Sequence, residues 1–379
     1  MRRIPLAWLN LLHERTRLVV AIAGVAFAVV LIFMNLGFQG ALLKSTTVMY
    51  DEFDAEVFLT SPQSLEISST KAFPRERLYQ VAGVTGVERV MPLYLEYMLW
   101  RNPETRLSRA MFVFGINPQD PLFLMPELRT PEAIQILQQP DVAFIDRLSR
   151  AEFGPQTTGL ETEADRRRIT IGGQYTLGGG FAADGTLIMS DQNFRRFFAP
   201  RPLDMINMGL IKLKPGTDPE AVVAEMRTLL PKDVRVLTKL DIILNDTTYW
   251  LENTAIGFIF TMGVIVSFIV GIVIVYQILY TDIRDHLREY ATLKAMGYGS
   301  NYLFQVVLQE AVILAVLGYI PGLLIALGLY RLTFNATQLP IFMGLPRVVI
   351  VLTLTILMCG ISGLVSVRKV VTADPADVF

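Results

Sequence analysis

Hydrophobic positions are spread unevenly along the chain. Four stretches, Leu18 to Leu43, Asn253 to Thr281, Ala311 to Tyr330 and Val348 to Val367, contain no Asp, Glu, Lys or Arg. A helix rises about 1.5 Å per residue, so about 20 apolar residues cross the roughly 30 Å hydrocarbon core of a bilayer, and each stretch has the length of a span. A helix of a water-soluble protein almost always keeps a charged face; four that do not point to a membrane protein.

Residues 44–252 read differently. Alternating or apolar runs predict strands at Ala55–Thr60, Val87–Trp100, Arg109–Ile116 and Met205–Leu213, and helices starting at Pro74, Ser190 and Asp218. The clearest unit is Met208 to Thr238: a strand, the turn Lys214-Pro215-Gly216, Asp218 as N-cap with Pro219 behind it, an amphipathic helix ending at Pro231, and a return strand at Val234–Leu237. That is a β-α-β unit of ferredoxin-like size. The fold class is therefore a membrane protein: an α-helical four-span transmembrane unit with a large mixed α/β extracytoplasmic domain inserted between the first and second spans. Residues Gly154 to Gly185, rich in Gly, Thr and charge, read as a solvated loop or hairpin, or as a contact surface for a partner.

Arginine and lysine near the span ends set the orientation. Arg2, Arg3, Arg15 and Arg17, then Arg284, Arg288 and Lys294, then Arg368 and Lys369 all fall on one side, which is cytoplasmic; Arg331 and Arg347 weaken the asymmetry without reversing it. The expected order is a cytoplasmic amphipathic N-terminal helix (1–17), span one (18–43), a periplasmic α/β domain (44–252), span two (253–281), a cytoplasmic coupling helix and loop (282–302), span three (303–330), a short periplasmic loop (331–347), span four (348–367) and a cytoplasmic tail (368–379). Trp8 anchors the first helix at the lipid interface. The first apolar run exceeds a signal-peptide core and lacks an A-x-A site, which favours a retained span.

The composition agrees, with 52% hydrophobic and 18% charged residues, below the roughly 25% charged of soluble domains, and a mean hydropathy of +0.43. A net charge of −1 leaves no basic surface for nucleic acid. Metal or redox chemistry has little to work with: His13, His286 and Cys359 are the only residues of their types. There is no phosphate-binding G-x-x-x-x-G-K-[ST] loop and no G-x-S-x-G elbow, so no catalytic residue, cofactor site or metal site is assigned, and the chain is expected to be non-catalytic. Asp51, Glu52, Asp54 and Glu56 read as a solvated stalk after span one. The four charge-free stretches disfavour an ion-coupled carrier, which needs ionisable groups at the midplane.

One cytoplasmic segment stands out. In Asp282–Gly297, Ile283, Leu287, Tyr290 and Ala291 form an apolar stripe, Arg284, Asp285, Arg288 and Glu289 a polar one, and Gly297 suits a helix C′ position. Such a helix lies on lipid or docks into a partner's groove. In span three, Gly318, Gly322 and Ala326 form a small-residue face that permits close helix packing.

The run Arg288-Glu289-x-x-x-Leu293-Lys294-Ala295-Met296-Gly297 resembles the R-E-I-G-x-L-[RK]-A-[LM]-G signature of FtsX/MacB-like ABC transporter permeases. The order of elements and the ending Asp374–Phe379 are similar too. Tyr290 and Ala291 replace the common Ile-Gly, a variant similar to the DevC subgroup of cyanobacterial exporters. The resemblance implies a homodimeric permease in the inner membrane, working by mechanotransmission with a separate ATP-binding subunit that holds ATP and Mg, a periplasmic membrane fusion adaptor and a TolC-like outer-membrane channel, and exporting glycolipid or other lipidic cargo. It implies that Ile283, Leu287, Arg288, Glu289, Tyr290, Leu293, Lys294, Met296 and Gly297 form the ATPase-coupling helix. The alternatives are an FtsX-like relay that activates a cell-wall hydrolase, and a lipoprotein-extracting permease.

Overall fold

The structure is a computed structural model that describes residues 15–178, 183–286, 289, 292, 296 and 300–372. The chain divides into two compact units. One comprises Met1–Gly40, Ala255–Asn335 and Ile341–Phe379; the other comprises Ala41–Thr254 and Ala336–Pro340.

The first unit is helical. Helices α1 (Arg15–Asp51), α7 (Ala255–Asp285), α8 (Ser300–Thr337) and α9 (Leu345–Thr372) are each long and apolar enough to cross a membrane. α1 runs eight residues beyond Leu43, where span one was expected to end. α8 begins well before Ala311 and brings in Glu310, which is fully buried, and it runs past Arg331 to Thr337, so only its stretch from Ala311 to Tyr330 is free of charge. The expected N-terminal amphipathic helix and the Asp374–Phe379 ending lie outside the described residues.

Small residues let these helices approach. An added Cβ on Gly318 would press on Val25, and one on Gly322 would meet Val29 at 2.7 Å and the Ala26 carbonyl at 3.1 Å. The face Gly318–Gly322–Ala326 thus lies against α1 of the same chain, with Ala326 fully buried. Gly363 of α9 packs on Ala311 of α8, and Ser362 Oγ donates to the Ile272 carbonyl of α7 at 2.8 Å. Asn35 of α1 donates to Ser267 Oγ of α7 at 3.3 Å. The outward residues of α7, among them Phe258, Ile259, Ile269 and Val273, are more than half exposed, as a lipid-facing surface requires.

The second unit is built on a ferredoxin-like core. Strands β1 (Val57–Thr60), β3 (Val87–Arg101), β10 (Met208–Leu213) and β11 (Arg235–Thr238) form an antiparallel sheet in the order β11-β1-β10-β3. Helix α2 (Glu76–Gln80) joins β1 to β3, and α5 (Pro219–Leu229) joins β10 to β11. The predicted β-α-β unit is present with its two strands parallel and β1 between them, and Asp218 caps α5 by accepting from the Glu220 N–H. Apolar residues fill both faces: Val57 and Leu59 belong to one core with Leu78, Val223 and Met226, and Phe58 to another with Tyr50, Phe114 and Ile242.

Everything between β3 and β10 is an insertion. It comprises β4 (Ser108–Ile116), α3 (Pro131–Leu137), β5 (Val142–Asp146), β6 (Glu161–Ala164), β7 (Arg167–Tyr175), β8 (Thr186–Ser190) and α4 (Asp191–Phe197). The strands continue the sheet as β3-β4-β8-β5-β7-β6, and Trp100 of β3 pairs with Ala164 of β6, closing a six-stranded ring. The Gly154–Gly185 stretch, expected as a loop or hairpin, contains the β6–β7 hairpin. Pro74, expected to open a helix, lies in β2 (Phe73–Pro74), paired with β9 (Met205–Ile206). The expected single strand Met205–Leu213 breaks at Asn207, whose side chain accepts the Leu95 N–H at 2.8 Å and donates to Thr70 at 3.0 Å.

Candidate coupling site

The expected coupling segment begins where α7 ends. Ile283 is buried in a cluster with Val307 of α8 and Val367 of α9, while Arg284 and Asp285 are exposed. Asp285 forms a 2.6 Å ion pair with Arg17 of α1. Asp282 and His286, one turn apart, are both buried, and His286 Nδ1 lies 3.0 Å from the Asp282 carbonyl oxygen. The end of α7 is thus held by apolar contact to two helices and by charge to a third.

Beyond it, Glu289 is exposed and its N–H donates to the His286 carbonyl at 3.0 Å; Met296 is 63% exposed, with its N–H on the Thr292 carbonyl at 3.0 Å. Leu287, Arg288, Tyr290, Leu293, Lys294 and Gly297 lie outside the described residues. An exposed methionine at the C-terminal part of the segment leaves an apolar side chain available for a partner.

In the α/β unit, the acidic residues after the first span are not a free solvated stalk. Asp54 pairs with Arg129 at 2.8 Å and with Lys212 at 2.7 Å, and Lys212 also reaches Glu56 at 2.7 Å. Partial burial raises the Asp54 pKa, but its hydrogen bonds to Lys212 and Arg129 outweigh that and hold it below the usual range. Asp51 pairs with Lys44 at 2.8 Å.

A second polar cluster was not visible in the sequence. Helix α6 (Lys239–Glu252) starts with a capping box, Thr238 and Asp241 bonding each other's backbone N–H. One turn beyond buried Ile242, Asp246 is 2% exposed; it accepts from Tyr50 Oη at 2.6 Å and from the Ile67 N–H at 3.0 Å. Burial pushes its carboxyl up to about 6, against these donors, and the nearby Glu66 charge adds to the rise. The bond ties the last turn of α1 to α6. The one sequence signal was an acid at the i+4 position of an apolar stripe.

Another residue that sequence reasoning left in a loop is Arg347, at the start of α9. It donates to the Phe342 carbonyl at 2.6 Å, sits 5.7 Å from the Tyr330 ring centre and packs where a side chain on Gly40 would lie. Among the described residues, no group of three His, Cys, Asp or Glu side chains is placed to hold a metal ion.

These features define a four-span helical unit carrying an α/β unit between its first two spans. Residues 257–375 match the FtsX-like permease C-terminal family. Over 371 residues, 97% of this chain and 96% of the relative, the chain is 23% identical to an uncharacterized ABC transporter permease of Mycobacterium tuberculosis (strain CDC 1551 / Oshkosh), and the same holds for one of strain ATCC 25618 / H37Rv. It therefore carries an FtsX-like permease domain and is a homologue of ABC transporter permeases. Among solved structures, the extracellular domain of the noncanonic ABC-type transporter YknZ from Gram-positive bacteria aligns with a TM-score of 0.35 at 16% identity, covering 48% of this chain and 98% of that one. The periplasmic region of MacB from Actinobacillus actinomycetemcomitans aligns with a TM-score of 0.37 at 11% identity, covering 54% and 95%.

Proposed function

We propose that this chain is the membrane subunit of an ABC exporter of the mechanotransmission type. The observation that carries the reading is the segment after α7: an amphipathic run with Arg288-Glu289-x-x-x-Leu293-Lys294-Ala295-Met296-Gly297 inside the FtsX-like region, rooted by Ile283 among α8 and α9 and ending in exposed Met296. A separate ATP-binding subunit, which holds ATP and Mg, docks on this run; its nucleotide cycle moves the helices, and the α/β unit passes the movement to a periplasmic adaptor and a TolC-like channel. Two copies of the chain sit over two ATPases, in the inner membrane with both termini cytoplasmic, and the DevC-like variant Tyr290-Ala291 supports a glycolipid or other lipidic cargo. The runner-up is a relay of the FtsX kind, which shares the coupling run and exports nothing; a permease that extracts lipoproteins shares it too.

Leu293→Asp and Met296→Asp each place a charge in an apolar docking contact. In proteoliposomes with the cognate ATPase, either variant is expected to lose stimulated ATP hydrolysis while the protein remains folded. Undiminished hydrolysis in both variants overturns the docking assignment.

A further inference from the structure

Two hairpins of the α/β unit meet at their tips. β3 and β4 are joined through Asn102–Leu107, β6 and β7 through Asp165-Arg166, and the Trp100–Ala164 pair sets the two turns side by side. Between them lies a cavity of about 440 Å³, walled by Leu99, Arg101, Arg106, Glu163, Asp165 and Arg166.

The charges in this cavity are unevenly satisfied. Arg101 is paired with Glu163 at 2.7 Å, and Asp165 accepts the Leu99 N–H at 3.1 Å. Arg106 and Arg166 have no carboxylate within ion-pair distance among the described residues, so two of the three guanidinium groups in a lining of three arginines and two carboxylates are not held in an ion pair. Both stand on left-handed backbone, at φ +63° and +64°. Asp165, at φ +46°, and Arg166 make a two-residue turn of the kind that Asn-Gly would form with less strain. Ser108 and Leu99 complete the lining, Leu99 being 56% exposed, and the neighbouring Leu107 is 68% exposed.

We propose that this pocket docks a carboxylate-bearing, aliphatic segment of a partner polypeptide. Two separate guanidinium groups provide for charge-assisted hydrogen bonds to carboxylates, and the exposed leucines offer apolar contact between them. The resident Glu163 and Asp165 repel a compact multiply charged anion such as phosphate more strongly than they repel single carboxylates spaced along a chain.

The test uses the full-length protein in detergent. Cys359 is buried, so Leu107→Cys provides one accessible thiol for a polar, environment-sensitive fluorophore. The end-capped peptide Leu-Glu-Leu-Glu-Leu is expected to bind saturably and more weakly as salt rises, and its glutamine counterpart not to bind. Arg106→Gln with Arg166→Gln is expected to weaken binding at least about tenfold, while Arg109→Gln, an exposed arginine outside the cavity, leaves it unchanged. Both pocket arginines are at the surface, so unaltered thermal unfolding confirms that the variants are folded. Equal affinity for the two peptides, or an unaffected double variant, overturns the proposal. Competition by inorganic phosphate at the peptide's own concentration, or a stronger response to phosphatidylglycerol vesicles, overturns it in favour of a small-anion or lipid site. No ATPase is present in the titration, so its outcome is separate from that of the coupling experiment.

Discussion

At the scale of single residues, the sharpest chemistry belongs to Asp246. The folded protein holds its proton up to about pH 6, against an ordinary aspartate value of 3.8, so the native state binds more protons than the unfolded chain between those values. Stability from this group is therefore complete at the acid end and is lost as pH rises through about 6. The shift corresponds to about 3 kcal/mol. Thermal unfolding of the full-length protein in detergent at pH 4.5 and 7.5 is expected to show this fall, and Asp246→Asn to flatten it; an unchanged pH dependence in the variant contradicts the assignment. In the sequence, Asp246 was one acid among 35 Asp and Glu residues, because its burial is made by Tyr50 and Ile67, far away along the chain. The proposed coupling run stands out in the sequence for the opposite reason: its pattern is local, a stripe repeating every turn.

At the scale of elements, local signals held and long-range ones did not. Asp218 caps the helix it was expected to cap, and Ser190, expected to start a helix, caps one, each accepting from a backbone N–H in the first turn, since a cap depends only on its neighbours. The break at Asn207 was hidden because an asparagine that serves the edge of β3 is indistinguishable in sequence from one in the middle of a strand. That edge is plugged along its length: Asn207 takes the Leu95 N–H, Arg201 donates to the Leu95 carbonyl at 3.2 Å, and Asp165 takes the Leu99 N–H. Side chains in place of a further strand keep the edge from pairing with other chains. Among the membrane helices, the sequence marks the face Gly318–Gly322–Ala326 as small but cannot say against what it lies. Because it lies on α1 at Val25 and Val29, Gly322→Leu forces the two helices apart at a cost of about 1–3 kcal/mol. Resistance of the purified protein to unfolding by SDS is the measurement that registers it; Gly328→Leu, where an added Cβ meets no other atom within 4 Å, is expected to change nothing.

At the scale of the whole molecule, the division into an apolar helical unit and an α/β unit was written in the hydropathy pattern, because span length follows directly from bilayer thickness. The topology inside the α/β unit was not, because the order of strands is set by pairings between residues far apart. Among the described residues β1 pairs only with β10 and β11, so none of the described chain before Met208 completes its sheet. Chains truncated just before Ile206 are accordingly expected to leave the β1 region open to limited trypsin digestion, where the full-length protein resists it; equal resistance would mean that the insertion folds without its frame.

The same insertion imposes an order on synthesis. At about 5–20 residues per second, the interval between the appearance of β1 and that of its first sheet neighbour, β10, is roughly 7–30 s. For that time the ribosome has delivered the opening helix and an orphan strand whose four side chains are all destined for burial. Contacts that close such long loops form slowly, and an apolar strand left waiting invites the wrong neighbour. The cell that makes this protein therefore has to keep a half-made domain out of trouble until its last strand arrives.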